Sequence, residues 1–117
     1  MKKKATRDYS SEQEQRLAKV LGGKVTPNSG GTKFDGGDIL TEHFLIEAKT
    51  PTKKQSSFSI KEEWLDKMEE QGYEQGKTRK ALAFQFEPGG ENYFILRDID
   101  FLEYVELVRM CTNKEEE

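Results

Sequence analysis

The chain has 117 residues, a length typical of one domain, and its hydrophobic content of 33% allows only a compact core. Charged residues make up 35% and the net charge is −3, which taken alone argues against a nucleic-acid partner. The single cysteine, Cys111, excludes an intramolecular disulfide and a zinc cluster, and no apolar run has the length of a signal peptide or a membrane span. We therefore expect a cytoplasmic protein with no membrane partner.

Charge divides the chain into three segments. Residues 1–9 form a basic arm, residues 10–112 a single domain, and residues 113–117 an acidic tail. Short charge runs of this kind are usually solvated ends, although the basic arm also has the charge to contact phosphate.

Hydrophobic periodicity and turn-forming residues predict eight elements. The first helix follows a cap at Ser10 or Ser11 and presents Leu17, Val20 and Leu21 as its apolar face, and Ser59 is expected to cap the second. The order is α-β-β-β-α-β-β-α, which predicts an α/β fold with one mixed β-sheet flanked by helices. The predicted elements are a helix over 11–21, strands over 24–26, 38–41 and 44–50, a helix over 59–76, strands over 81–86 and 92–96, and a helix from 98 or 100.

The last helix carries an apolar stripe formed by Ile99, Leu102, Val105 and Val108. Such a stripe packs either on the chain's own sheet or on a second subunit. The sequence leaves both possibilities open.

Two acidic residues, Asp38 and Glu47, are the most informative pair in the sequence. If the turn between their strands is centred between Glu42 and His43, antiparallel pairing places Asp38 directly opposite Glu47, with β-carbons roughly 5 Å apart. Like charges at such a position destabilise a sheet, and a hard divalent cation bound by carboxylate oxygens compensates for this. The sequence therefore predicts a cation site between the two acids. His43, the only histidine, is interpreted as a structural residue of the turn.

Lys49 lies two residues after Glu47, so both side chains leave the same face of the strand. A lysine beside two acids and a cation can orient the attacking water or stabilise charge on a phosphate, and the backbone carbonyl of Ala48 is a candidate third ligand. Glu-x-Lys in a strand usually marks a solvated ion pair. Here it follows the apolar run 44–46, and charges at the end of a buried strand favour the functional interpretation.

These residues resemble the PD-(D/E)xK nuclease superfamily, in particular the small Holliday junction resolvases of archaea and phages. The resemblance spans residues 14–86 and rests on Glu14 in the first helix, Ser29-Gly30, Gly37-Asp38-Ile39 and the run 45–49. It implies a restriction-endonuclease-like fold in which Asp38 and Glu47 bind Mg²⁺ or Mn²⁺ and Lys49 assists the nucleophile. It also implies that Glu14 completes the catalytic site, with Glu12 as the alternative helix acid.

Residues near the predicted site in sequence are candidates for DNA contacts. Ser29 has the hydroxyl to donate to a phosphate, although turn formation is its more common role. Trp64 lies on the apolar stripe of the second helix, which favours a core position over base stacking. The candidate lysines, for which solubility is an equally good explanation, are Lys33, Lys53, Lys54 and Lys61.

The expected function is Mg²⁺-dependent endonuclease cleavage of branched DNA, with resolution of four-way junctions as the sharpest form. Paired incisions imply a homodimer with two sites related by a two-fold axis. Two alternatives stay open: a general or single-strand DNA nuclease of the same superfamily, and a nuclease-like module that binds DNA without cutting it.

Overall fold

The computed structural model describes residues 6–26 and 38–116, with side chains over 9–26 and 38–113. It confirms the α/β class and the element order. The helices are α1 (Thr6–Leu21), α2 (Glu62–Glu74) and α3 (Asp98–Glu116), and the strands are β1 (Lys24–Val25), β2 (Asp38–Leu40), β3 (Phe44–Lys49), β4 (Arg79–Phe84) and β5 (Tyr93–Leu96).

The five strands form one mixed sheet in the order β1-β2-β3-β4-β5. Neighbouring strands are antiparallel except β3 and β4, which run parallel and are connected through α2. A parallel pair needs such a crossover, because a tight turn can join only antiparallel strands. The central strands β3 and β4 are each buried over four consecutive residues, as expected of strands covered on both faces.

The two faces of the sheet carry separate hydrophobic clusters. On one face, Leu17 and Ala18 of α1 pack against residues that include Ile46 and Ala48. On the other, Met68 of α2 packs against Leu45 and Leu82, with Ile60, Trp64 and Leu65 at the periphery. We call these the α1 face and the α2 face. Because side chains alternate along a strand, every second residue of β3 belongs to the α2 face.

The first helix ends at Leu21 as predicted but begins earlier, and it buries a different side from the predicted one. It begins at Thr6, so Ser10 and Ser11 lie inside the helix instead of capping it, and Ser11 Oγ accepts a hydrogen bond from Gln15 Nε2 at 3.2 Å. Val20 is 75% exposed, because the buried side of the helix is formed by positions 13, 14, 17 and 18. The predicted basic arm therefore overlaps this helix from Thr6 onward, and the predicted acidic tail overlaps α3 through Glu116.

Two further boundaries differ. The residue before α2 is Lys61, in extended backbone and without a side-chain cap, so Ser59 does not cap this helix. Strand β4 begins at Arg79, two residues before the predicted start. The sequence pattern missed this because Arg79 and Lys80 are charged. Lys80 is nevertheless buried, with its ammonium 2.7 Å from Glu69 Oε2 on α2, and its aliphatic stem lines the α2 face.

The third helix packs little against the sheet. Its first half is held near β4 by an ion pair between Arg79 and Glu103, with Arg79 Nε 2.7 Å from Glu103 Oε1. Seven large apolar residues of α3 are exposed, each by 45–62%; of the predicted stripe, Val105 is partly buried, whereas the other three residues are not covered by the described residues of the chain. Within the described part of the chain, no helix is both long and apolar enough for a membrane span.

Candidate metal and phosphate site

The register of β2 and β3 places Asp38 directly opposite Glu47, as the turn geometry predicted. Thr41 fixes this register: its Oγ1 accepts hydrogen bonds from the backbone N–H of Phe44 at 2.9 Å and of His43 at 3.3 Å. The backbone N–H of Thr41 in turn donates to the Phe44 carbonyl at 2.9 Å, which leaves a two-residue loop. His43 is exposed at the tip of this turn, in agreement with a structural role.

Strand β1 holds the start of β2 in place. Thr26 Oγ1 accepts a hydrogen bond from the backbone N–H of Asp38 at 2.9 Å, and the Thr26 N–H donates to the Asp38 carbonyl at 2.8 Å. The backbone of Asp38 is thus bonded from one side and paired with β3 on the other. Its carboxylate therefore has a defined position next to Glu47.

Lys49 and Glu47 share the α2 face and contact each other. Lys49 Nζ lies 3.2 Å from Glu47 Oε1 and 4.5 Å from the centroid of the Trp64 ring, over its face. Both residues line a small cleft of about 120 Å³ whose other wall is the Glu63, Trp64 and Lys67 side of α2. The lysine is thereby held between an anionic oxygen and an electron-rich ring face, two partners that each favour a cation.

The environment of Asp38 disfavours its charged form. The pKa of the Asp38 carboxyl is raised from 3.8 to about 6: burial is the largest cause and the negative charge of Glu47 adds to it, while Lys67 and Lys49 act in the opposite direction. A carboxyl whose pKa is raised by burial and by a second carboxylate is typical of acid pairs that share a proton or a cation. The two facing carboxylates therefore repel each other, and a bound cation would relieve that repulsion.

Glu47 supplies an independent indication of a missing partner. Its side chain is only 5% exposed, and its Oε2 is buried without a hydrogen-bond partner among the described residues. A buried anionic oxygen without a partner costs free energy, and coordination of a cation removes that cost. The two facing carboxylates therefore fit a hard divalent ion, which prefers oxygen ligands. Ala48 lies between Glu47 and Lys49 in β3 and is buried. Its backbone carbonyl remains a predicted ligand of the ion.

The described residues contain no group of three or more acidic, histidine or cysteine side chains suited to hold a metal. The structure therefore does not gather Glu14 with Asp38 and Glu47. Glu14 is 7% exposed and belongs to α1, which packs on the α1 face, whereas the two acids share the α2 face. Glu12, the alternative helix acid, is exposed.

The residue before Glu14 has a contact that sequence analysis missed. Gln13 is buried, and its Nε2 donates to the Lys49 carbonyl at 2.9 Å and to Asn92 Oδ1 at 3.0 Å. It thereby joins α1 to the end of β3 and to the loop before β5. The only signal available was its position four residues before Leu17, which places a polar residue on the apolar side of the helix. We interpret Gln13 as a residue that positions the strand end carrying Lys49.

The predicted DNA-contacting residues are only partly described. Ser29 and Lys33 lie outside the described residues. Lys53, Lys54 and Lys61 are exposed, and Lys61 Nζ lies 5.7 Å from the Trp64 ring centroid, near the wall of the cleft. Trp64 itself is partly buried beside Phe58 in the α2-face cluster, so it does contribute to the core.

Lys67 was not among the predicted site residues. It lies three positions after Trp64, on the same side of α2, and it lines the cleft and acts electrostatically on Asp38. Its spacing from Trp64 was visible in the sequence. Its proximity to Asp38, however, could be known only once the packing of α2 on the sheet was known.

Comparisons with protein-family models, with curated proteins and with solved structures found no match to this chain.

Proposed function

We propose that the protein is a divalent-metal-dependent endonuclease that hydrolyses phosphodiester bonds in DNA. The observation that carries the proposal is the juxtaposition of Asp38 and Glu47 on paired strands, with Lys49 on the same face. Two facing carboxylates, Glu47 buried and Asp38 partly buried, favour a hard cation, and the adjacent ammonium favours an anionic substrate. Phosphodiesters are anionic, and a bound cation promotes their hydrolysis, so they match both features of the site.

Asp38, opposite Glu47, and four of the residues that line the cleft have tasks in this proposal. Asp38 and Glu47 would hold Mg²⁺, or Mn²⁺ in its place, with the Ala48 carbonyl as a further ligand. When bound, the ion supplies Lewis-acid polarisation of the scissile phosphate and lowers the pKa of a coordinated water. Lys49, fixed by Glu47 and Trp64, orients the attacking water and offsets negative charge that develops on the phosphate. Lys67 adds a second positive charge at the same cleft.

The proposed substrate class is branched DNA, with four-way junctions as the first candidate. This choice comes from the sequence resemblance to junction resolvases. Resolution needs two incisions, so the proposal includes a homodimer with two clefts. Cys111 is a free, exposed thiol, in keeping with action in the reducing cytoplasm.

A titration of Mg²⁺ against a labelled synthetic four-way junction tests the activity. We expect metal-dependent cleavage by the wild-type chain, loss of at least a hundredfold in rate for Asp38→Asn, and retained junction binding. Asp66→Asn is the matched control, because it makes the same chemical change at an exposed position of α2. Its rate should equal that of the wild type.

The outcomes also separate the alternatives. Equal cutting of linear or single-stranded DNA would replace the junction-specific enzyme by a general nuclease. Metal-independent binding without cleavage of any of these substrates would contradict the enzyme proposal and favour a DNA-binding module.

A further inference from the structure

The most prominent feature outside the cleft is the bare surface of α3. Its large apolar residues point in almost all directions around the helix, and such a helix is normally buried. Single exposed apolar residues are common on proteins, but a contiguous apolar surface of this size marks an interaction site. The exposed residues are Ile99, Phe101, Leu102, Tyr104, Leu107, Val108 and Met110.

An apolar groove adjoins this helix. It has a volume of about 700 Å³ and lies on the α1 face, where the end of α1 leaves part of the sheet uncovered. Its floor includes Phe44, Phe94 and Leu96, and Phe101 and Tyr104 of α3 form one side. Phe94 is 46% exposed there. Helix and groove therefore form one continuous apolar surface, which we call the α3 surface.

The rest of this chain has too little apolar material to cover the α3 surface. The structure does not describe residues 1–5, 27–37 and 117. The only large apolar residues in these segments are Met1 and Phe34. The remainder of those segments is lysine, glycine and small polar residues, with Ala5, Pro27, Asp35 and Glu117. A cover from within the same chain is thus disfavoured by composition.

We infer that the α3 surface is covered by a second copy of this chain, with the two α3 helices antiparallel. Each copy brings both an apolar helix and an apolar groove, so one surface satisfies the self-complementarity of a two-fold interface. At about 100 Å² for each half-exposed side chain, a partner on one side of α3 would cover roughly 400 Å² of the helix, and the adjoining groove would supply the rest of the roughly 800 Å² per copy of a standard interface.

Charge favours the antiparallel arrangement. The first half of α3 carries four acidic residues and no basic one, whereas the second half, which contains Arg109, has no net charge. Antiparallel helices place Arg109 of one copy near the acidic half of the other and also oppose the two helix dipoles. A parallel pair would instead align the acidic halves with each other.

The arrangement leaves the catalytic cleft open in both copies. The groove lies on the α1 face, whereas Glu47, Lys49 and α2 form the cleft on the α2 face. This inference deepens the homodimer that the proposed function requires. Its test uses neither metal nor DNA, so the dimer and the nuclease activity can fail separately.

Sedimentation equilibrium of the full chain tests the inference with one substitution on each part of the surface. We expect a dimeric wild type at micromolar concentration, and at least a hundredfold weaker dimer for Leu102→Glu on the helix and for Phe94→Glu in the groove. Tyr73→Glu on α2 is the control, because Tyr73 is 87% exposed away from this surface. It should leave the dimer unchanged.

Circular dichroism of the same samples distinguishes lost association from lost folding. Both substituted side chains are about half exposed in the single chain, so the variants should remain helical as monomers. A wild type that stays monomeric at about 100 µM, or a dimer that survives both substitutions, would overturn the inference.

The helix direction is tested by a spin label on Cys111, the only cysteine of the chain. Antiparallel helices that cross near Tyr104 separate the two Cys111 backbones by about 20 Å, whereas parallel helices bring them to roughly 10 Å. A label distance distribution centred near the shorter value would contradict the antiparallel arrangement.

Discussion

At the level of single residues, Asp38 couples the charge of the site to the stability of the fold. Its pKa is raised to about 6 in the folded chain, so between about pH 4 and 6 the folded state retains a proton that the unfolded state releases. The free energy of unfolding therefore falls as pH rises through this window. An acid pair that weakens the metal-free fold at neutral pH is expected of a cation site.

Replacement of Asp38 by asparagine should remove this penalty. We expect Asp38→Asn to be more stable than the wild type by about 2 kcal/mol at about pH 7.5 in EDTA, and to gain little at about pH 4. Urea unfolding at the two pH values measures both. Mg²⁺ should stabilise the wild type and have little effect on the variant. If both proteins show the same pH dependence, Asp38 does not carry the charge penalty.

Trp64 should position Lys49 through the face of its ring. The ammonium lies 4.5 Å from the ring centroid, and such a contact contributes about 1 kcal/mol. Trp64→Leu should therefore lower kcat about fivefold with little change in KM, whereas Trp64→Phe, which keeps a ring, should retain most of kcat. Steady-state cleavage kinetics below the unfolding temperature measure the difference. Equal losses in both variants would indicate a packing effect instead.

The site residues differ in how far sequence could predict them. Asp38, Glu47 and Lys49 follow from strand periodicity and turn length, which are local properties, and the structure brings them together as predicted. Lys67 and Gln13 depend on how each helix packs against the sheet, which no local pattern specifies. Such contacts are set by tertiary packing, and the sequence contains only weak signals for them.

At the level of elements, the link between α1 and β2 requires a close backbone approach. A β-carbon built on Gly23 would lie 2.6 Å from the Leu40 carbonyl oxygen and 3.1 Å from Ile39 Cγ2. Any side chain would therefore displace β2, the strand that carries Asp38. The preceding Gly22 has a φ of 71° and no atom near its hypothetical β-carbon. The two glycines are thus required for different reasons.

Gly23→Ala should destabilise the protein by about 1–3 kcal/mol, because the backbone must shift to relieve the contact. Gly22→Asn is the matched control: asparagine tolerates a positive φ and meets open space, so its cost should stay under about 1 kcal/mol. Thermal and urea unfolding measure both variants. If Gly23→Ala is as stable as the wild type, the backbone at Gly23 lies far enough from β2 to accommodate a methyl group.

The types of the elements were predictable and several of their boundaries were not. The hairpin of β2 and β3 follows from two short apolar segments on either side of a two-residue turn. The start of β4 could not be predicted in this way. Lys80 is a charged residue, yet it is buried because its aliphatic stem packs in the core and its ammonium pairs with Glu69. Burial of a charged residue depends on a partner distant in sequence, which explains why the strand was placed two residues late.

At the level of the whole molecule, the sheet separates two surfaces with different chemistry. The α2 face holds a polar cleft, and the α1 face holds an apolar groove continuous with α3. The apolar stripe of α3 was visible in the sequence, but whether it packs on the sheet or on another copy depends on the space left by α1. The first half of α3 lies near β4, yet Ile99, Leu102 and Tyr104 in that half are as exposed as the later apolar residues, so both halves belong to the proposed interface.

With a net charge of −3, the proposed DNA binding depends on where the positive charges lie. Lys53 and Lys54 are exposed in the loop after β3, next to the strand end that carries Lys49. If each lysine contacts a backbone phosphate, its binding releases counterions from the DNA. Removal of one such contact should then reduce the slope of log binding constant against log salt concentration by about 1. The double variant Lys53→Gln/Lys54→Gln should therefore reduce the slope by about 2.

The matched control is Lys19→Gln/Lys24→Gln, which changes the net charge by the same amount at exposed positions of α1 and β1. Fluorescence anisotropy with a labelled junction, across a series of salt concentrations and in Ca²⁺ to prevent cleavage, measures both slopes. A smaller slope only for the first pair indicates phosphate contacts beside the cleft. Equal reductions of the slope by the two pairs would show that binding depends on the net charge of the protein and not on contacts beside the cleft. Long-range attraction depends on net charge, whereas counterion release depends on contact with phosphate.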